Sequence, residues 1–170
     1  MRPRFTLALA FVLAGSLSCG NNAGPSFVPV VPRADIRVTI EATPLTGQAG
    51  QPVTITARLK NQGTVSVLLL NRCPEPTIRI YNAQSEEMFQ RDPTQPIPCP
   101  TSLYAPLEPG QDINVPLTFA GSYYSYDGQL HQVPAGPYDA RALFMYSEYR
   151  DSQTVGDPQT ASRDVLFNWQ

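Results

Sequence analysis

Proline restricts the fold of this chain more than any other residue: it occupies 18 of the 170 positions, about twice its usual frequency. Prolines scattered this densely exclude a mainly helical protein, because a proline inside a helix removes a hydrogen bond and clashes with the preceding turn. Disorder along the whole chain is excluded too, since 42% of the residues are hydrophobic. With 12 Lys and Arg against 14 Asp and Glu, we expect no basic stripe for nucleic acid.

Alternating apolar and polar residues predict short strands separated by turns. In segments 35–43 and 52–60 every second residue is apolar, which is typical of a strand with one buried face. Further strands are predicted at 64–71, 77–81, 87–91, 101–107, 112–119, 138–146 and 164–169. Segments 45–51 and 108–111 are predicted turns, 123–132 an irregular loop and 150–162 a loose polar stretch. About eight or nine strands and no amphipathic helix indicate an all-β protein, an antiparallel β-sandwich with Greek-key connections.

The first 18 residues are predicted to be an export signal. Arg2 and Arg4 precede an apolar run at 5–15, which is too short to span a bilayer, and small residues follow at 16–18. Residues 19–33 are small, polar and proline-rich, as in a flexible tether. The remaining residues, 34–170, are predicted to form one β-sandwich domain.

The sequence Gly15-Ser-Leu-Ser-Cys19-Gly20 resembles the signal of bacterial lipoproteins. The resemblance implies that Cys19 becomes the mature N-terminus, carries a lipid and anchors the protein to the bacterial cell envelope. The membrane contact would then be made by the lipid alone. The alternative is ordinary secretion, to the periplasm or beyond, after cleavage at the same bond.

The chain has three cysteines, Cys19, Cys73 and Cys99. An exported chain meets an oxidising compartment, so we expect Cys73 and Cys99 to form a disulfide, with Cys19 as the odd, lipidated residue. A metal site at these two cysteines is the alternative. Two thiolates and the single histidine of the chain would leave zinc short of four ligands. We therefore predict no metal site and no cofactor.

The middle of the chain resembles a known family. The residues that carry the resemblance are the alternating strand and turn at 53–69, the hairpin IRIYNAQSEEMFQR at 78–91, the LEPGQ turn at 107–111 and VPAGPYDARALF at 133–144. Their order is similar to that of the BsuPI-type intracellular proteinase inhibitor domain, over residues 53–145. The resemblance implies an immunoglobulin-like β-sandwich and, as one alternative for function, inhibition of a serine protease.

Two segments are candidate binding sites. Tyr123, Tyr124 and Tyr126 with Asp127 offer rigid aromatic area with polar tips, which suits a protein or sugar partner. The alternative is that these rings cover an open end of the sandwich. The second candidate is a stiff loop beside the two cysteines. One alternative is a binding segment that the disulfide holds in place before it binds, and the other is a loop that the disulfide only stabilises. Its prolines are Pro93, Pro96, Pro98 and Pro100.

Catalytic patterns are weak, and we predict that the protein is not an enzyme. A hydrolase would pair His131 with a serine and an acid, but no nucleophile-elbow motif is present. The nearby candidates are Ser122, Ser125 and Asp127. Paired carboxylates occur at Glu86–Glu87 and around Asp112, and Glu86 and Glu87 are expected to be solvated at the end of a hairpin. We therefore expect a binding or interaction module whose partner is a protein, either a protease or an envelope component.

Intact mass spectrometry of the protein from its native host tests the signal. We expect cleavage before Cys19 and an added mass corresponding to acyl chains on that residue. A Cys19→Ser variant should lose the lipid mass and leave the membrane fraction. An unmodified thiol at Cys19 in the exported protein would contradict the lipoprotein assignment.

Overall fold

The computed structural model describes residues 33–70, 77–96 and 106–170. Within them the chain forms ten strands and no helix, which confirms the prediction of an all-β protein. The strands are β1 (Ile36–Thr43), β2 (Thr46–Gly47), β3 (Val53–Asn61), β4 (Ser66–Leu69), β5 (Ile78–Tyr81), β6 (Asp112–Phe119), β7 (Ser122–Tyr124), β8 (Leu130–Gln132), β9 (Gly136–Arg150) and β10 (Gln153–Trp169). The signal segment 1–18, most of the tether and all three cysteines lie outside the described residues. No helix in the described part of the chain could cross a membrane.

Two sheets contain most of the strands. The smaller sheet has the order β1-β3-β6, and its neighbours are antiparallel. The larger sheet has the order β2-β10-β9-β4, with β5 also paired to β9. Its neighbours are antiparallel except for β2, which runs parallel to the end of β10. Strand β9 is long enough to pair with β4 and β5 along one edge and with β10 along the other.

Apolar residues from both sheets form one buried core. The predicted inward residues of β3 are all fully buried: Val53, Ile55, Ala57 and Leu59. The larger sheet contributes residues such as Ile80, Phe144 and Phe167 to the same cluster. Alternation therefore predicted the buried face correctly wherever the opposite face is polar.

Asn61, at the end of β3, is a fully buried polar residue. Its side-chain nitrogen donates to the carbonyls of Val65 and Leu107, each at 2.9 Å, and its side-chain oxygen accepts from the Gly63 amide at 3.0 Å. Its backbone nitrogen donates to Gln111 O at 3.0 Å. A single amide thus fixes both the turn after β3 and the turn before β6.

The turn at 108–111 has the predicted type II features. The Gln111 amide donates to Glu108 O at 3.0 Å, and Gly110 has a φ of 83°, a value that favours glycine at the third position of this turn. The strand that follows, β6, has the predicted bounds. Because β6 is at the edge of its sheet, its Pro116 can be accommodated there.

The prediction of a loose polar stretch at 150–162 was wrong. From Gln153 onward these residues belong to β10, which continues to Trp169 and pairs with β9 across an irregularity between Val155 and Gln159. Residues 153–160 are exposed, so no buried face marks them in the sequence. Their strand conformation comes from backbone pairing with β9.

Other predicted elements are shorter or pair differently. Residues 87–91 do not return along β5 as a full hairpin strand: they make an isolated bridge, Tyr81 to Glu87, and β5 pairs with β9 instead. The turn at 45–51 contains the short strand β2, and the strand predicted at 64–71 is reduced to β4. Of the edge strand predicted at 101–107, only Leu107 is described as bridged, to Val67.

Aromatic rings close one end of the core around Gly121. The Phe119 ring packs edge-on against Phe167 and Trp169, with ring centroids 5.2 and 5.4 Å away. Gly121 has a φ of 80°, and a Cβ atom there would overlap the Trp169 indole. The chain can therefore leave β6 and enter β7 close to Trp169 only because this position has no side chain.

We expect Gly121→Ala to lower the free energy of unfolding by about 2–5 kcal/mol, which combines the cost of a left-handed backbone with overpacking against the indole. Gly110→Ala is the matched control, since Gly110 has a similar φ of 83° but no atom within 4 Å of the added Cβ. The control should lose only about 1–2 kcal/mol. Urea unfolding of both variants measures the difference, and equal losses would contradict a specific clash with Trp169.

Candidate functional site

The segment predicted as an irregular loop at 123–132 forms a small β-hairpin. Strand β7 pairs with β8, with Tyr123 opposite His131 and Tyr124 opposite Leu130. A backbone bond from Val133 N to Gly121 O, 2.9 Å long, closes its base. We call residues 122–132 the tyrosine hairpin. The earlier prediction failed here because the strands are three residues long and polar, too short for alternation to identify them.

The three tyrosines of the hairpin have different environments. Tyr123 packs against the core, and its ring stacks on His131 with a centroid distance of 5.4 Å. Tyr124 is half-buried. Tyr126 is 84% exposed, and its ring meets Phe89 edge-to-face at 5.5 Å. Tyr123 thus anchors the hairpin, whereas Tyr126 is available to solvent.

Hydrogen bonds order the tip of the hairpin. The Ser125 hydroxyl donates to Asp127 Oδ1 at 2.5 Å, and the Ser125 backbone exchanges bonds with Gln129 and Gly128 at 2.9 Å. The Ser125 hydroxyl is the main cause of a lowered pKa at Asp127, followed by the backbone amide of Gln129. Gly128 supplies a φ of 81°, which a side chain would disfavour. The Asp127 carboxylate therefore stabilises the turn at the tip of the hairpin.

Ser125, Asp127 and His131 lie together, but not in the order of a catalytic triad. In a triad the histidine accepts the serine proton and the acid holds the histidine. Here the Ser125 hydroxyl oxygen lies 2.5 Å from Asp127 Oδ1, 3.1 Å from the Gln129 carbonyl oxygen and 3.0 Å from His131 Nε2. The serine thus sits between the acid and the histidine. This geometry stabilises a turn and does not prepare the hydroxyl for attack.

The hairpin contacts the start of the proline-rich segment. The Tyr124 amide donates to Phe89 O at 2.8 Å. At the tip, a Cβ on Gly128 would lie 2.7 Å from Asp92 Oδ1 and 3.0 Å from Thr94 Oγ1. The structure therefore brings the tyrosine cluster and part of the predicted rigid loop into one surface.

Asp92 fixes the first turn of the proline-rich segment. Its Oδ1 accepts bonds from the Thr94 hydroxyl at 2.6 Å and the Thr94 amide at 2.9 Å, and these bonds lower the pKa of Asp92. Pro93 and Pro96 are exposed. Pro98, Pro100, Cys73 and Cys99 lie outside the described residues, so the disulfide remains a prediction.

Sequence reasoning missed Phe89 as part of this surface. Residues 89 and 126 are far apart in the chain, and no local signal connects them. Their contact depends on the Phe89–Tyr124 bridge, which joins the hairpin to the segment after β5.

The paired carboxylates do not converge. Glu86 accepts a bond from Asn82 at 2.8 Å, Glu87 is half-buried near Arg79, with 3.5 Å between charged atoms, and Asp112 accepts from Arg58. The prediction of a solvated carboxylate is therefore wrong for Glu87, which is half-buried beside Arg79. Among the described residues, no three His, Cys, Asp or Glu side chains lie close enough to hold a metal ion.

Comparisons with known proteins give only distant structural likenesses. No protein-family model matches the sequence, and no curated protein does either. Among solved structures, a Bordetella pertussis protein described as ApaA is 14% identical with a TM-score of 0.46, over 81% of this chain and 95% of that one. A β-glucosidase from Listeria innocua is 10% identical with a TM-score of 0.40, over 80% of this chain and 16% of its own. The β-glucosidase EmGH1 from Erythrobacter marinus is 14% identical with a TM-score of 0.40, over 81% and 16%. This chain thus spans about a sixth of either β-glucosidase, and likenesses this weak carry no information about function.

The Asp127 carboxyl provides a test of the ordered tip. We expect its pKa to lie below the ordinary value of 3.8 and to rise toward it in Ser125→Ala, because the main hydrogen bond that favours the carboxylate is removed. Since the folded pKa is the lower one, this bond stabilises the tip above the ordinary pKa, and its contribution is lost as pH falls through the folded value.

Side-chain carboxyl NMR titration measures the Asp127 pKa in the wild type and in Ser125→Ala. Asp92 is the internal control: its pKa is lowered by Thr94 and should not change in Ser125→Ala. An Asp127 pKa that is the same in both proteins would refute the proposed turn network.

Proposed function

We propose that this protein is a binding module of the bacterial cell envelope, an immunoglobulin-like β-sandwich that presents the tyrosine hairpin to a protein partner. The observation that carries the proposal is the exposed ring of Tyr126 on an ordered hairpin, beside Phe89. Exposed aromatic rings held in one conformation are the side chains that contribute most to protein recognition, because little entropy is lost when they bind.

Several features support the sandwich. The apolar faces of the two larger sheets share one core, as they do in two-layer β proteins. Tyr138 is buried near the start of β9, and its hydroxyl donates to the Pro134 carbonyl at 2.7 Å. A buried tyrosine bonded to the backbone a few residues upstream is a feature of immunoglobulin-like folds. Burial raises the pKa of Tyr138, so the hydroxyl stays protonated and donates.

The envelope location is proposed on the sequence of the N-terminal segment. A basic start, a short apolar run and small residues before Cys19 support export with a lipid on that cysteine. The proline-rich residues 19–33 would then let the domain reach a partner at some distance from the membrane surface.

A serine protease is the second candidate for the partner, on the resemblance to BsuPI-type domains. The observation that favours it is the turn after Asp92, which two hydrogen bonds hold in place with Pro93 and Pro96 exposed beside the hairpin. Inhibitors commonly present a segment that is ordered before binding.

An affinity experiment with envelope extract tests the binding function. Proteins retained by the wild-type chain are identified, and the dissociation constant of the strongest partner is measured. We expect Tyr126→Ser to weaken that affinity by at least about tenfold, as loss of an aromatic hot spot does.

Leu166→Ser is the matched control, because Leu166 is a 68% exposed apolar residue on β10 and lies outside the tyrosine hairpin. It should leave the affinity unchanged. Equal affinity of the wild type and Tyr126→Ser, or an equal loss in both variants, would exclude the hairpin as the contact surface. Stoichiometric inhibition of a captured serine protease would identify the module as an inhibitor.

A further inference from the structure

A shallow groove crosses the exposed face of the smaller sheet. It has a volume of about 270 Å³, and its lining residues are Arg37, Thr39, Arg58, Lys60 and Gln62. All of them come from β1, from β3 or from the residue that follows β3. Each carries a side-chain hydrogen-bond donor, and three of them are cations. The lining side chains are therefore either positively charged or neutral, and all of them can donate hydrogen bonds.

Two cations in this groove, Arg37 and Lys60, face each other. Arg37 is directly opposite Lys60 in the β1–β3 pair, and Thr39 is opposite Arg58. Arg58 is bonded to Asp112. On its other side Lys60 lies opposite Asp112 in the β3–β6 pair. The side chains of Arg37 and Lys60 make no hydrogen bond or ion pair with other described residues. Like charges at opposed positions of a sheet are destabilising, and such local costs tend to persist where they serve a function.

We propose that the groove binds the phosphate of a small phosphomonoester. The three cations of the groove and the Asp112 carboxylate beside them together carry about two positive charges, which match the charge of a phosphomonoester near neutral pH. The guanidinium of Arg37 can donate two parallel bonds to phosphate oxygens, and the ammonium of Lys60 adds a compact positive charge. Thr39 and Gln62 can donate to the oxygens that remain.

A phosphodiester, such as a lipid headgroup, fits the groove less well. It carries one negative charge, so one of the two positive charges would stay unneutralised. This inference does not depend on the tyrosine hairpin. Lys60 pairs with Asp112 and Val53 with Phe119, which places the groove about 20 Å along β3 from the start of the hairpin.

Isothermal titration of the purified full chain with methyl phosphate and with dimethyl phosphate tests the charge match. We expect methyl phosphate to bind at least about tenfold more tightly, because the diester lacks one charge and one strong acceptor oxygen. Arg37→Gln and Lys60→Gln should each weaken methyl phosphate binding by at least about fivefold. Arg163→Gln, which removes a cation from the exposed surface of β10, should change it by less than about twofold.

Urea unfolding of the same variants separates binding from folding. Arg37→Gln should be at least as stable as the wild type and still lose affinity, because β1 is an edge strand and the substitution removes the like-charge pair of Arg37 with Lys60. Absence of methyl phosphate binding, equal affinity for the two ligands, or the same loss in Arg163→Gln would overturn the proposal. So would binding to vesicles of phosphatidylcholine with phosphatidylglycerol by a chain that does not bind methyl phosphate.

Discussion

The buried side-chain amide of Asn61 connects the turn after β3 to the segment before β6, and the arrangement of both sheets depends on this connection. It bonds to the backbone of the turn after β3 and to Leu107, and Leu107 in turn exchanges backbone bonds with Val67 in the larger sheet. A buried amide that lost these partners would pay the full cost of desolvation. Asn61 therefore makes the position of β6 beside β3 depend on the position of β4, which couples the two sheets at one end of the core.

At the other end of the core, Gly121 connects β6 to the tyrosine hairpin, and its lack of a side chain makes this close passage possible. The chain passes close to Trp169 there, and the tyrosine hairpin begins with the next residue. The orientation of Tyr126 is thus determined by core packing at the hairpin's base and by the Ser125–Asp127 bond at its tip. The proposed binding surface is therefore ordered by the packing and hydrogen bonds of the fold itself.

The sequence allowed the prediction of elements in which one face is buried and the other polar. The alternation in β1 and β3, and Phe167 and Trp169 in the last part of β10, predicted their buried faces correctly. The outer part of β10 could not be predicted, because residues 153–160 are exposed on both faces and only hydrogen bonds to β9 define them. Tyr126 was singled out because three tyrosines lie within four residues of the sequence. Its contact with Phe89 joins segments that are distant in the sequence, so no local pattern predicts it. The pairing of Arg37 with Lys60 depends on the register of β1 and β3, and the acidic composition of the chain gives no sign of a cationic groove.

The place of β10 in chain order affects how the protein can be made. Every other strand precedes it, yet it covers one edge of β9 from Gly136 to Arg150 and supplies Phe167 and Trp169 to the core. Strand β2, synthesised more than a hundred residues earlier, has its partner only at Asn168 and Trp169. A nascent chain without β10 therefore exposes a long sheet edge, the kind of surface on which chains aggregate. Completion of the domain therefore waits for the synthesis of β10.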